Sequence, residues 1–187
     1  MRLFLAIPVR EEILRSLERG VGRLRESRAA VRWVKPVAIH QTVKFLGEAE
    51  SDRIKALVTS MTAVCDDFAP FPITITGMGA FPGLRSPRVI WAGVRETSGI
   101  LEKLWIMTEE TAENLGWTRE KRGFSPHITL GRVKGSLNIA RLSEAIRSLE
   151  NEHWGEQEVR DLVLYRSHLK PEGPEYEKVH VFPLGKT

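Results

Sequence analysis

A single cysteine, Cys65, stands in a chain of 187 residues. It has no partner for an intrachain disulfide, so a disulfide-stapled secreted scaffold is excluded and a reducing compartment, the cytoplasm, is the default. Long apolar runs are also missing. The opening Leu3–Val9 is apolar but runs at once into Arg10-Glu11-Glu12, with no small-residue cleavage site. It reads as a buried strand rather than a signal peptide. No later stretch approaches the roughly 18 apolar residues that a membrane span requires, and no low-complexity linker divides the chain. The composition is otherwise ordinary for a globular protein. A pI near 9.4 on a net charge of +4 suits a polyanionic partner without demanding one.

Hydrophobic spacing supplies the elements. Leu14, Leu17, Val21 and Leu24 fall at helical intervals within 11–28, and Ile54, Leu57, Val58 and Met61 do so behind Ser51-Asp52, a cap candidate. Further helices are expected at 98–115, ended by Gly116, and at 139–149. Runs rich in β-branched and aromatic residues predict strands at 3–9, 31–34, 39–46, 71–76, 88–94, 127–133, 159–165 and 176–182. Gly47 would end the third of these. Gly77, Gly79, Pro82, Gly83 and Pro87 would form a loop, and Pro171, Gly173 and Pro174 a turn. Two strands often stand between successive helices. That order favours an α+β fold with largely antiparallel sheets over a doubly wound parallel sheet. Residues 1–187 are therefore expected to form one domain.

Two tetrapeptides share a form. His40-Gln41-Thr42-Val43 and His127-Ile128-Thr129-Leu130 both read His-x-Thr-apolar, each in a strand-like run. With 5 histidines in 187 positions, roughly 0.3 His-x-Thr triplets are expected by chance. Their places in opposite halves suggest a diverged internal duplication. On a strand, residues two apart point to one face, about 6.5–7 Å from each other. Each motif thus offers an imidazole beside a hydroxyl. Two such strands facing across a cleft could serve an in-line displacement at phosphorus, which needs a base on one side and an acid on the other. An imidazole with a pKa of about 6.5 performs either task near neutrality, and hydroxyls can hold non-bridging oxygens. No metal is required, and neither histidine belongs to a short His/Cys chelating motif.

With those motifs in place the sequence resembles the two-histidine (2H) phosphoesterases, and within them the RNA 2′,3′-cyclic phosphodiesterases also known as 2′–5′ RNA ligases. The likeness spans nearly the whole chain. It is carried by Arg2-Leu3-Phe4-Leu5-Ala6-Ile7-Pro8, by His40 through Gly47, by Phe81-Pro82-Gly83 with Pro87 through Val94, by Pro126 through Arg132, and by Leu164 through Ser167 with Gly173 through Tyr176. It implies a bilobal, pseudo-two-fold α+β fold with the active cleft between the lobes. It implies opening of a 2′,3′-cyclic phosphate to a 2′-phosphate without cofactor, and reversible joining of RNA ends such as tRNA halves, by a monomer. His40 would be the general acid, His127 the general base, and Thr42 and Thr129 phosphate ligands. Arg132 would join them only if a bulge brought it to the face of His127. A non-catalytic RNA-end-binding module and a 2H enzyme for a small cyclic phosphate, such as ADP-ribose cyclic phosphate, are the competing readings.

Other features carry less. Lys44 reads as a solvated lysine on the face of His40, and Phe45 as buried more readily than free to stack on a base. His153, His168 and His180 read as structural or exposed, and the five tryptophans mostly as core. The basic Arg119-Glu120-Lys121-Arg122 reads as a solvated turn. Gly185-Lys186-Thr187 imitates the end of a phosphate loop but lacks the upstream glycine, and Gly77-Met78-Gly79 lacks the third glycine of a dinucleotide fingerprint.

Overall fold

The structure, a computed structural model, describes residues 2–170 and 173–185. In these, nine strands and four α-helices follow in the order β1 (Arg2–Pro8), α1 (Glu11–Arg25), β2 (Val31–Trp33), β3 (His40–Glu48), α2 (Ser51–Asp66), β4 (Phe71–Phe81), β5 (Val89–Arg95), α3 (Ile100–Asn114), β6 (His127–Val133), α4 (Ile139–Arg147), β7 (His153–Val159), β8 (Asp161–Lys170) and β9 (Gly173–Pro183). The strands form one hydrogen-bonded path, β7-β4-β5-β6-β3-β1-β8-β9, with the short β2 beside β6. Every pairing is antiparallel.

The path consists of two four-stranded halves. From the centre outward they are β3-β1-β8-β9 and β6-β5-β4-β7, and the two central strands meet at one ladder pair, Gln41 with Ile128. These halves are the two expected sheets. Each central strand is preceded by a strand and a helix and followed by a helix, as an internal duplication predicts. The helices exchange sides: α1 packs on β7 and α4, while α3 packs on β3 and α2. The two halves of the sequence therefore interlock through their helices.

One large core lies between helices and sheet. Ile13, Leu17, Val21 and Leu24 of α1 and Ile54, Leu57, Met61 and Cys65 of α2 enter it. On the other face of the sheet, Phe4, Ala6, Val163 and Tyr165 form a separate small cluster capped by Tyr176. This aromatic floor lies on the side where the His-x-Thr residues emerge.

Several boundaries differ from the sequence expectation. β4 continues through the glycines assigned to a loop, because a register shift between Thr76 and Met78 absorbs Gly77 as a bulge. Gly77 has φ +66°, and a Cβ there would lie 2.4 Å from the Glu150 carbonyl oxygen, so only glycine fits. β3 likewise runs past Gly47 to Glu48. The strand expected at 159–165 straddles the end of β7 and the start of β8; β7 was hidden by its polar exposed residues and Gly155. Ser51 and Asp52 sit inside the first turn of α2 rather than capping it, and Glu50 holds the cap position with no side-chain bond. Pro171 of the expected turn and Lys186-Thr187 lie outside the described residues, whereas Gly173 and Pro174 already pair within β9.

Candidate active site

The pair Gln41–Ile128 orients both motifs. Both side chains are fully buried on the helix side of the sheet, whereas His40, Thr42, His127 and Thr129 are half-buried on the opposite face. Antiparallel register at this pair sets His40 toward Thr129 and Thr42 toward His127. The four predicted residues are thus brought to one face at the seam between the halves.

Both imidazoles are held in the same way. His40 Nδ1 is 2.9 Å from the Ala38 carbonyl oxygen, and His127 Nδ1 is 2.7 Å from that of Ser125, in each case the residue two positions earlier. A carbonyl can only accept, so each Nδ1 donates and the lone pair of each neutral ring sits on Nε2. His40 Nε2 lies 3.0 Å from Thr42 Oγ1. The neighbouring hydroxyl therefore already addresses that nitrogen.

Aromatic rings wall both histidines. Phe4 lies 4.8 Å and Tyr176 5.2 Å from the His40 ring, the latter edge-on, with Tyr165 behind. On the other side Phe81 meets His127 edge-on at 5.0 Å and packs against Trp91. Burial among these rings pushes the His40 pKa down from 6.5 to about 4, opposed in part by the Ala38 hydrogen bond. Sequence reasoning assigned no role to these aromatics. The available signal was their position: Phe4 faces Phe45 across the β1–β3 ladder and Tyr165 across the β1–β8 ladder.

Bulges decide what else reaches this face. In β3 the register against β1 jumps from Ala6–Thr42 to Leu5–Lys44, so Val43 is the extra residue. In β6 the register against β5 jumps from Trp91–Thr129 to Ile90–Gly131, so Leu130 is the extra residue. The two bulges occupy the same place, directly after each His-x-Thr. Each turns the following residue inward and the next one outward. Arg132 is thereby exposed on the His127 face, by the device the sequence required of it. Its charge opposes the upward pKa shift that burial gives the Tyr176 hydroxyl, as does that of Arg2, so both cations stand near the His40 wall.

The same bulge overturns two expectations. Lys44 is buried rather than solvated, with Nζ 2.7 Å from Glu109 Oε2 of α3 and 3.2 Å from the Thr118 carbonyl oxygen. Phe45 is 72% exposed rather than buried. The lesser histidines behave as expected: His168 pairs with Glu177 at 2.8 Å, His180 packs on Phe182, and His153 is exposed. Trp117 and Trp154 are buried, and the other three tryptophans are half-buried. Among the described residues, no group of three or more His, Cys, Asp or Glu is placed to hold a metal ion.

Comparison with known proteins places this arrangement. The LigT-like phosphoesterase family matches residues 7–91 and 94–176, and each matched segment contains one His-x-Thr. The chain belongs to that family. The resemblance to 2H phosphoesterases seen in the motifs is therefore borne out along almost the whole length. An RNA 2′,3′-cyclic phosphodiesterase of Archaeoglobus fulgidus is 37% identical over 97% of this chain and 99% of its own. A crystal structure from Thermus thermophilus superimposes with a TM-score of 0.83 at 30% identity, over the full length of both chains. Escherichia coli LigT in complex with 3′-AMP gives 0.76 at 28% identity, covering 99% of this chain and 98% of that one.

Proposed function

We propose that the protein hydrolyses RNA 2′,3′-cyclic phosphate ends to 2′-phosphomonoesters without a metal. Family membership and the activity for which relatives that match end to end are named support the reaction class. The observation that carries the mechanism is the matched pair of imidazoles. Each is locked through Nδ1 to the carbonyl two residues back, and each stands beside the seam where β3 meets β6.

In this reading His127 Nε2 removes a proton from water as the oxygen attacks phosphorus. The P–O3′ bond breaks in line, and His40 Nε2–H delivers a proton to the departing O3′, leaving the phosphate on O2′. Thr42 and Thr129 hold the equatorial oxygens, and Arg132 balances their charge. A 5′ hydroxyl in place of water would give a 2′–5′ linkage, as in the joining of tRNA halves. Since burial keeps His40 largely neutral near pH 7, the bound phosphodiester supplies the negative charge that lets it hold its proton. The lone buried Cys65 suits the reducing cytoplasm in which such a monomer would act.

A binding module without turnover is not favoured, since recognition alone has no use for two oriented imidazoles. Product analysis on an oligoribonucleotide with a 2′,3′-cyclic phosphate end tests the proposal. A 2′-phosphate product, formed undiminished in chelator and lost in His40→Ala and His127→Ala, is expected. A 3′-phosphate product or loss of turnover with chelator would overturn it.

A further inference from the structure

Beside the histidines lies a second concavity of about 450 Å³, which the catalytic reading does not use. Its rim carries Phe45 from β3, Trp105 from α3, and Thr118, Arg119, Lys121 and Arg122 from the loop that leads to β6. We propose that this groove is a subsite for single-stranded RNA, receiving the nucleotide that precedes the cyclic-phosphate end. The proposal rests on the reading of the histidine site above and extends it from a nucleotide end to a strand.

Four observations support it. First, one ring borders both His40 and the rim of the groove: Phe4 lies 4.8 Å from the His40 ring and 6.1 Å from that of Phe45. Second, it offers apolar faces. Phe45 is 72% exposed, and Trp105 is stacked on Phe124 at 5.0 Å and 13°, which holds the indole in a fixed plane. Base–aromatic stacking needs such platforms and tolerates any base.

Third, the loop supplies uncommitted cations. Arg119 is engaged by Glu113 at 3.2 Å and Glu110 at 3.9 Å, and the Glu120 carboxylate accepts the Arg122 backbone N–H. The exposed side chains of Lys121 and Arg122 make no ion pair among the described residues. Two positive charges thus remain for phosphates. Fourth, the wall is pinned. Glu109 Oε2 accepts from Lys44 Nζ and, at 2.9 Å, from the Glu120 backbone N–H, while Lys44 also donates to the Thr118 carbonyl. A buried ion pair is a costly way to gain stability; here it ties the basic loop to the strand that carries His40. The same loop ends at Ser125, whose carbonyl orients His127.

The variant Lys121→Glu/Arg122→Glu changes exposed residues outside the catalytic group. It should be compared with the unaltered protein on a 2′,3′-cyclic mononucleotide and on a trinucleotide ending in the same group, from roughly 50 to 200 mM salt. The expected result is at least a tenfold loss of kcat/KM on the trinucleotide with the mononucleotide unchanged. The logarithmic salt dependence on the trinucleotide should flatten by about 1.4, roughly 0.7 for each lost phosphate contact on a single strand. An equal loss on both substrates, or none on either, would overturn the subsite. If the unaltered protein hydrolyses neither substrate, the proposed activity falls and the subsite is read by binding. Fluorescence anisotropy with a 2′-phosphate-ended trinucleotide then supports it if the double variant binds at least tenfold more weakly, and overturns it if affinities are equal.

Discussion

Acidification should destabilise this protein through His40 in particular. The side chain lies half-buried against Phe4 and Tyr176, and burial lowers its pKa from 6.5 to about 4 against the smaller opposing effect of the Ala38 hydrogen bond. Unfolding returns it to its ordinary value. Between pH 6.5 and 4 the unfolded chain therefore binds a proton that the folded chain refuses, and stability rises with pH across that window. The contribution is complete above about 6.5, is lost progressively as pH falls to about 4, and changes no further below. At 1.36 kcal/mol for each pH unit between the two values, the full loss is about 3 kcal/mol. Urea unfolding of the parent and of His40→Asn at a series of pH values isolates this effect, because carboxylates that lose their native partners in acid are common to both proteins. The parent should lose about 3 kcal/mol more than the variant between neutrality and pH 4. NMR titration should show the His40 ring protonating near pH 4 and moving upward when a 2′-phosphomonoester binds. Parallel pH–stability curves, or a His40 titration near 6.5 in the protein alone, would refute both the burial argument and the charge-dependent acid role built on it.

Two further outcomes follow from buried polar groups. Gln41 is fully buried and, among the described residues, neither its amide nitrogen nor its oxygen has a hydrogen-bond partner, while Ile128 fills the equivalent position opposite. Gln41→Leu should raise the unfolding free energy by about 1–3 kcal/mol, since an unsatisfied amide is removed without touching the histidine face; an equal or lower urea midpoint would contradict this. Lys44→Met should cost about 3–5 kcal/mol by leaving Glu109 charged and buried without its cation, and adding Glu109→Leu should recover most of the loss. Failure of the second change to restore the urea midpoint would show that the pair itself, rather than the unpaired carboxylate, carries the stability.

The sequence made the central strands legible because period-2 alternation holds within each His-x-Thr. Burial of Gln41 and Ile128 is what that alternation predicts. It failed immediately afterward, at Val43 and Leu130, where one extra residue in each ladder reverses the faces. Lys44 and Phe45 were misplaced for that reason. A bulge leaves no compositional mark when the extra residue is apolar and the next side chain can be buried, as an aliphatic lysine stem ending at a carboxylate can. The partner carboxylate stands 65 residues away in α3, beyond the reach of any local pattern. Gly77 was read as a breaker because glycine is ordinarily one. Only the proximity of the Glu150 carbonyl, a long-range contact, shows that it serves within a strand.

The duplicated bulge also explains how two similar strands support unlike work. Up to the bulge the halves are equivalent: imidazole, buried residue, hydroxyl, with the backbone carbonyl two residues earlier holding each Nδ1. Beyond it the outward position is Phe45 on one strand and Arg132 on the other. A phosphodiester end is itself unsymmetric, with a base on one side and a charged phosphorus centre on the other. In the proposed reading, an aromatic plane beside His40 and a guanidinium beside His127 would divide those two demands between the halves. Exchange of the two residues, Phe45→Arg with Arg132→Phe, would keep charge, motif and fold. It should nevertheless abolish turnover if the division matters, with the His40 imidazole still titrating as in the parent. Retained kcat/KM in that exchange would show that the sites beyond the bulges are interchangeable, and that the asymmetry of the reaction resides in the histidines alone.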